Sequence, residues 1–152
     1  MRVVVQRVTE GRVIVAGDEV GAIGPGLVLL VGVASSDSMA DVDAVVRKIV
    51  GLRVFSDDAG QMNRSVADVG GSILVVSQFT LQADIRKGRR PSFTDAARPT
   101  VAEPLVDAMC EALIRQGVAT STGTFGAHMH LELTNDGPVT IVIDSLDGQL
   151  VR

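Results

Sequence analysis

Gly24-Pro25-Gly26-Leu27-Val28-Leu29-Leu30-Val31-Gly32-Val33-Ala34 is the stretch on which the fold turns. Gly24-Pro25-Gly26 halts whatever precedes it. From Leu27 to Ala34 no side chain is charged or polar, and the run has strand length, so it reads as a buried strand. Upstream, Val3-Val4-Val5 and Arg12-Val13-Ile14-Val15 read as two β-branched strands broken at Glu10-Gly11, with a turn at Ala16-Gly17-Asp18. Downstream, Val42, Val45, Val46, Ile49 and Val50 recur at helical spacing. Ser38 with Asp41 supplies a start signal for that helix and Gly51 a stop.

Residues 56–71 have the Asp, Gly and Asn content of a loop, and Ile73 to Ser77 is again a buried strand. Phe79 to Pro99 has no period and is long for a structureless connection, which marks it as functional or disordered. A second helix is expected over Val101 to Gln116, with capping-box spacing at Thr100 and Glu103 and a first turn limited by Pro104. Strands Ala127 to Thr134 and Val139 to Asp144 finish the chain, joined by Asn135-Asp136-Gly137-Pro138 read as a hairpin connection. Two helices cannot supply the crossovers of a wholly parallel sheet. The fold class is therefore α/β of the α+β kind: a mixed, largely antiparallel sheet with a barrel-like core and two main helices on one side.

The chain has 152 residues, 46% of them apolar, which suits one domain over residues 1–152 with a substantial core. Met1 to Val8 carries two arginines and no long apolar run, so no ordinary secretory signal is read. No stretch reaches the ~20 apolar residues of a membrane span. Cys110 is the sole cysteine, excludes an intrachain disulfide and fits a reducing, cytoplasmic location; it is expected to pack inertly on a helix. The net charge of −4 does not favour indiscriminate adsorption to nucleic acid. One basic cluster, Arg86, Lys87, Arg89 and Arg90, stands out, and charge alone leaves open whether it is a solvated loop or a polyanion site.

Three places could carry chemistry. Ser77-Gln78-Phe79-Thr80 lies where a buried strand leaves the sheet, offering hydroxyls, an amide and main-chain N–H groups that can stabilise an oxyanion. The plain alternative is a polar strand end that satisfies itself by turning. Gly137-Pro138 exposes two carbonyls with little bulk, and is otherwise a simple turn. His128 and His130 face the same way on an expected strand, yet no third ligand, cysteine pair or H-E-x-x-H accompanies them, so no metal is expected. No G-x-S-x-G elbow supports a serine triad. No glycine-rich phosphate loop supports a nucleotide cofactor, and none is expected.

Nearly end to end, the sequence resembles the D-aminoacyl-tRNA deacylase family. The resemblance runs through Val4-Val5-Gln6-Arg7-Val8, Ile23 to Leu27, Leu52 to Phe55, Gln61-Met62-Asn63, Ser77 to Leu81, Lys87 to Phe93, Phe125-Gly126-Ala127 with Met129, and Asn135 to Thr140. The pairing of S-Q-F-T with N-D-G-P-V-T carries the most weight. The resemblance implies a homodimeric hydrolase with a site at the subunit interface, acting on aminoacyl-tRNA, with no DNA or membrane partner. Ser77, Gln78, Phe79 and Thr80 would line the pocket, with the Phe79 N–H and Thr80 holding the carbonyl. Gly137 and Pro138, joined by a cis bond and placed by Arg7, would enter the partner's pocket and receive the substrate amino group. Met129 would lie beside the adenine, and Arg86, Lys87, Arg89 and Arg90 would meet tRNA phosphates. D-aminoacyl esters and glycyl-tRNA would be cleaved and L-aminoacyl esters rejected by clash.

Three alternatives accompany this reading: Thr80 as covalent nucleophile, an RNA-binding module without catalysis, and a sibling deacylase editing an L-amino acid. The last would be favoured by a trans bond before Pro138 and a differently placed Arg7. His128, Gln82 and Arg64 depart from the family pattern, at positions that bear on tRNA docking and the pocket rim.

Overall fold

The structure is a computed structural model describing residues 1–152. In chain order it comprises β1 (Arg2–Val15), β2 (Asp18–Ile23), β3 (Gly26–Gly32), α1 (Met39–Gly51), β4 (Phe55–Ser56), β5 (Met62–Arg64), β6 (Ser72–Ser77), a 3-10 turn (Phe79–Gln82), α2 (Pro99–Arg115), β7 (Ala119–Thr122), β8 (His130–Leu146) and β9 (Gln149–Leu150). The main sheet has the order β7-β6-β3-β1-β8-β9, with β2 also paired to β1. Only β3–β6 and β6–β7 are parallel. Those two joins need long crossovers, and α1 and α2 lie in them, one each. The mixed, mostly antiparallel sheet expected from two helices is what forms.

Both helices cover one face. Val42, Val45 and Ile49 of α1 and Met109 and Leu113 of α2 pack on Val3, Val5, Leu27, Leu29, Ile73 and Val75. A smaller core of Val8, Val13, Val28, Leu74 and Val76 fills the opposite face. Burial on both faces explains why β3 and β6 read as unbroken apolar runs. The sheet curls around the smaller core as a half-barrel. Its rims nearly meet between β2 and β7, where the Ser121 hydroxyl donates to the Ala22 carbonyl at 3.1 Å. A Cβ on Gly21 would stand 2.3 Å from the Thr122 carbonyl oxygen, so only glycine permits that approach.

Several sequence expectations change. The break at Glu10-Gly11 does not divide two strands. β1 is continuous, and its register against β8 slips between Val8 and Glu10. A bulge there turns the strand over, which is why Val8 and Val13, of opposite parity, share one core. The 56–71 loop contains the short β4–β5 hairpin. β2, β7 and β9 were not anticipated; they are short and mostly exposed, so they lack an apolar signature. The last strand begins at His130 rather than Ala127, whose N–H closes a turn on the Thr124 carbonyl.

α1 starts as expected. The buried Asp41 carboxylate accepts from the Ser38 N–H at 3.0 Å and from the Gly148 N–H at 3.1 Å. Burial pushes Asp41 up, but these donors outweigh it and hold the carboxyl below its usual range. α2 starts two residues earlier than expected. Its N-cap, Arg98, makes no side-chain cap bond, and the Thr100–Glu103 box does not form because Pro99 occupies the first helical position. No helix is long and apolar enough to cross a membrane.

Candidate active site

β6 delivers the site. Its last rungs pair Ser77 with Val31, and the Gln78 N–H donates to the Val31 carbonyl at 2.7 Å. The chain then enters the 3-10 turn, held back against β3 by the Gln82 amide, which donates to the Gly32 carbonyl at 2.7 Å. Gly32 is required by this packing, since a Cβ would lie 2.8 Å from the Leu81 Cβ. The first N–H groups of such a turn have no partner inside it, which leaves donors at Phe79 and Thr80 for an oxygen outside. The Gln78 side-chain amide donates to the Thr80 hydroxyl at 2.5 Å. With its lone pair so engaged, that hydroxyl is oriented to give its proton to another acceptor.

Beneath the turn is a cavity of about 510 Å³. Ser77, Gln78 and Phe79 form one side, the first turns of α2 (Pro99, Ala102, Val106) a second, and Phe125 to Met129 a third; most of the lining is apolar. The chain has four phenylalanines and no tyrosine or tryptophan. Phe79 and Phe125 line the cavity, and Phe93 meets Phe79 edge-on with ring centroids 5.1 Å apart. Three of the four aromatic rings therefore gather at one partly exposed place, where core packing alone does not call for them. Thr80, the residue after Phe79, is exposed and is not among the lining residues.

Gly137-Pro138 is not a hairpin turn. Residues on both sides of it pair antiparallel with β1, so the strand continues in one direction and the segment is an excursion from its edge. The Gly137-Pro138 bond is cis, and Gly137 has φ +135°. Arg7 holds the excursion, with Nε donating to the Asp136 carbonyl at 2.9 Å and Nη1 donating to the Val54 carbonyl at 2.5 Å. Neither Arg7 nor the Gly-Pro pair lines the cavity of its own chain. Arg7 is level with Leu27 and Ile73, and Ser77 with Val31, Val3 and Ile143. From strand spacing and rise, the two places are separated by on the order of 15–20 Å within one chain.

The basic loop is closed at its base by main-chain bonds between Asp84 and Ser92. Arg86 grips Asp84 with both arms of its guanidinium, at 2.9 and 2.8 Å, and with its own N–H at 3.0 Å. The guanidinium bonds chiefly, and the N–H bond next, hold the Asp84 carboxyl far below its usual range. Arg86 is thereby engaged inside the loop, whereas Lys87, Arg89 and Arg90 are exposed and take part in no ion pair.

His128 lies at the cavity wall, its ring edge-on to that of His130 at 5.2 Å. No group of three or more His, Cys, Asp or Glu side chains is placed there or elsewhere so that it could hold a metal ion. Cys110 is partly buried on α2 beside the main core. Burial chiefly, with Asp107 nearby, pushes its thiol up to about 11, so it is protonated near neutrality.

The sequence reading did not single out Phe93, Phe125 or the α2 wall as site residues. Ala102 and Val106 have the spacing of any core-facing helix stripe, so no local signal separates a cavity wall from a core. Phe93 and Phe125 stood only among the family-like residues.

The D-Tyr-tRNA(Tyr) deacylase family model matches residues 4–144. A D-aminoacyl-tRNA deacylase of Chloroflexus aurantiacus is 58% identical over 152 residues, covering 100% of this chain and 95% of that protein. A solved structure named c-Myc DNA Unwinding Element Binding Protein superposes with a TM-score of 0.90 at 41% identity, covering 96% of this chain and 99% of that one. Another, described as a probable eukaryotic D-amino acid tRNA deacylase, has a TM-score of 0.82 at 20% identity, covers 93% and 97%, and shares the fold.

Proposed function

The chain belongs to the D-Tyr-tRNA(Tyr) deacylase family, whose members cleave the ester bond of aminoacyl-tRNA, and from this we propose a division of labour among its residues, with 1–152 acting as one deacylase domain. Two copies associate so that the Gly137-Pro138 excursion of each enters the cavity of the other. The carbonyls of that bare main chain receive the substrate's α-amino group. The Phe79 N–H and Thr80 hold the ester carbonyl, Ser77 and Gln78 line the approach, and Met129 packs against the terminal adenine. With the amino group and the ester both fixed, a D side chain leaves through the open mouth, whereas an L side chain strikes the Gly-Pro backbone. Glycine, having no side chain, passes.

One observation carries this reading. The excursion is exposed and held by Arg7, yet it does not line the cavity of its own chain. Arg7, which the L-editing alternative would place elsewhere, is bonded to it. The chemistry needed is modest, because an aminoacyl ester is labile and positioning with oxyanion stabilisation suffices. Thr80 suits a hydrogen-bonding role better than a nucleophilic one, since its side-chain partner is the Gln78 amide, which cannot take its proton. The ribose 2′-hydroxyl of the substrate then assists the attacking water.

Single-turnover hydrolysis of D-Tyr-tRNA and L-Tyr-tRNA tests the reading. Cleavage of the D ester alone is expected, and equal rates would defeat it. Thr80→Ala is expected to lower the rate by about 10–100-fold, the loss of one hydrogen bond to a developing charge, while leaving clear activity. Near-complete loss with a trapped acyl-enzyme in the parent would point instead to the covalent route.

The loop cations enter through the acceptor end of the tRNA. Each cation that meets a phosphate adds roughly 0.7–0.9 to the slope of log affinity against log salt. Joint replacement of Lys87, Arg89 and Arg90 by glutamine is expected to lower the slope by about 2–3. Arg86→Gln should change it little, because Asp84 already holds that guanidinium. Filter binding of tRNA across a salt series reads both.

A further inference from the structure

Gln6 and Val8 of β1 are paired with Thr140 and Asn135 of β8. Between them β1 has one residue, Arg7, and β8 has four, Asp136 to Val139. Such a mismatch leaves main-chain groups on the longer side without ladder partners, and an unsupported excursion would be free to sway. Arg7 ties down its start through the Asp136 carbonyl. Its end is held by one side chain. The Asn135 Oδ1 accepts from the Val139 N–H at 2.7 Å, and its Nδ2 donates to the Val139 carbonyl at 3.2 Å and to the Thr140 hydroxyl at 3.1 Å. Asn135 thus satisfies both main-chain groups of the residue that follows Pro138, standing where a strand backbone would.

We propose that Asn135 is a positioning residue for chirality: its side-chain amide closes the neck of the Gly137-Pro138 excursion and thereby sets where the excluding backbone stands. The assignment rests on the reading of that excursion given above. The residue type follows from the bonds. Asparagine carries an acceptor and a donor on one short arm. Aspartate keeps the acceptor for the Val139 N–H but loses both donated bonds, and it sets a carboxylate against the Val139 carbonyl. Alanine loses all three. Rejection by clash is sensitive to such a loss because the excluding group must not yield. Cleavage of the accepted ester shares the excursion's carbonyls with this rejection but draws also on the Phe79–Thr80 side of the pocket, which Asn135 does not touch, so a looser neck costs cleavage less than it costs rejection.

The test compares wild type, Asn135→Asp, Asn135→Ala and Thr140→Val by kcat/KM on D-Tyr-tRNA and on L-Tyr-tRNA, with urea unfolding of each. With hydrogen bonds of ordinary strength, Asn135→Ala is expected to raise the L-to-D ratio by about tenfold or more, mainly through faster L cleavage. Asn135→Asp should raise it less, and Thr140→Val, which removes one acceptor only, should stay within about twofold of wild type. A role in folding alone would lower both rates together and leave the ratio in place; that result in Asn135→Asp and Asn135→Ala overturns the assignment. If Asn135→Ala does not fold, Asn135→Asp decides. A wild-type enzyme that cleaves both esters equally would defeat the excursion's role itself, whereas a selective wild type with unaltered Asn135 variants defeats only the part given to Asn135.

Discussion

Gly26→Ala is expected to abolish stable folding. A Cβ at Gly26 would stand 1.8 Å from the Ser72 carbonyl oxygen and 2.8 Å from the Ser72 main-chain carbon and nitrogen. No rotamer change relieves such contacts, because every atom met is backbone. Gly26 and Ser72 are register partners in the parallel join of β3 and β6, which lies between the two cores. Relief requires parting these strands, and Leu27, Ile73 and Leu74, all fully buried beside them, would lose their packing. A loss beyond about 4–5 kcal/mol falls in the exceptional class for one substitution and approaches the whole stability of many domains. Gly24→Ala is the control. A Cβ there meets nothing within 4 Å, and the expected change is within about 0.5 kcal/mol. Urea unfolding of the two proteins checks the contrast. A folded Gly26→Ala protein with near-native stability would show that the β3–β6 join is looser than drawn.

Gly137→Ala is expected to remove most D-Tyr-tRNA hydrolysis while leaving the protein folded. Gly137 has φ +135°, a region L side chains rarely adopt. A Cβ would lie 2.9 Å from Val139 Cγ2 and 3.0 Å from Arg7 Nη2, so it would push on the guanidinium that holds the excursion. Backbone strain of this kind costs of order 1–3 kcal/mol, and the exposed excursion can distort to relieve it without disturbing either core. That distortion moves the carbonyls proposed to receive the substrate amino group. If about 2–3 kcal/mol of transition-state binding is lost, kcat/KM falls by roughly 30–150-fold. Melting temperature should change much less than activity. Retained activity and retained D-over-L selectivity would argue that Gly137 faces away from the substrate.

Much of the architecture was legible in the chain. The apolar run Leu27 to Ala34, the stop at Gly24-Pro25-Gly26 and the helical valines from Val42 onward carry their own periodicity, because burial is a property each residue reports locally. α1 even begins at its expected cap, since Ser38 and Asp41 act over one turn. Exit of the S-Q-F-T segment from a buried strand followed in the same way. The hairpin expected at Asn135 to Pro138 failed for an instructive reason. Asn, Asp, Gly and Pro disfavour regular strand, but a bulge and a reversal use the same residues, and only β1, running past both sides, distinguishes them. The split at Glu10-Gly11 failed likewise, as a bulge that reads as a break.

By itself, then, the order of residues determined the two helices, the buried strands, the mixed sheet they require and, through its family-like motifs, the deacylase class. Those are short-range patterns or whole-chain likeness, and neither needs coordinates. Only the tertiary structure decided that the last strand is continuous, that α2 and Phe125 wall the cavity, and that the Gly-Pro excursion lies away from the cavity of its own chain. Each depends on which distant segments meet, and side-chain spacing along one segment carries no record of what will pack against it.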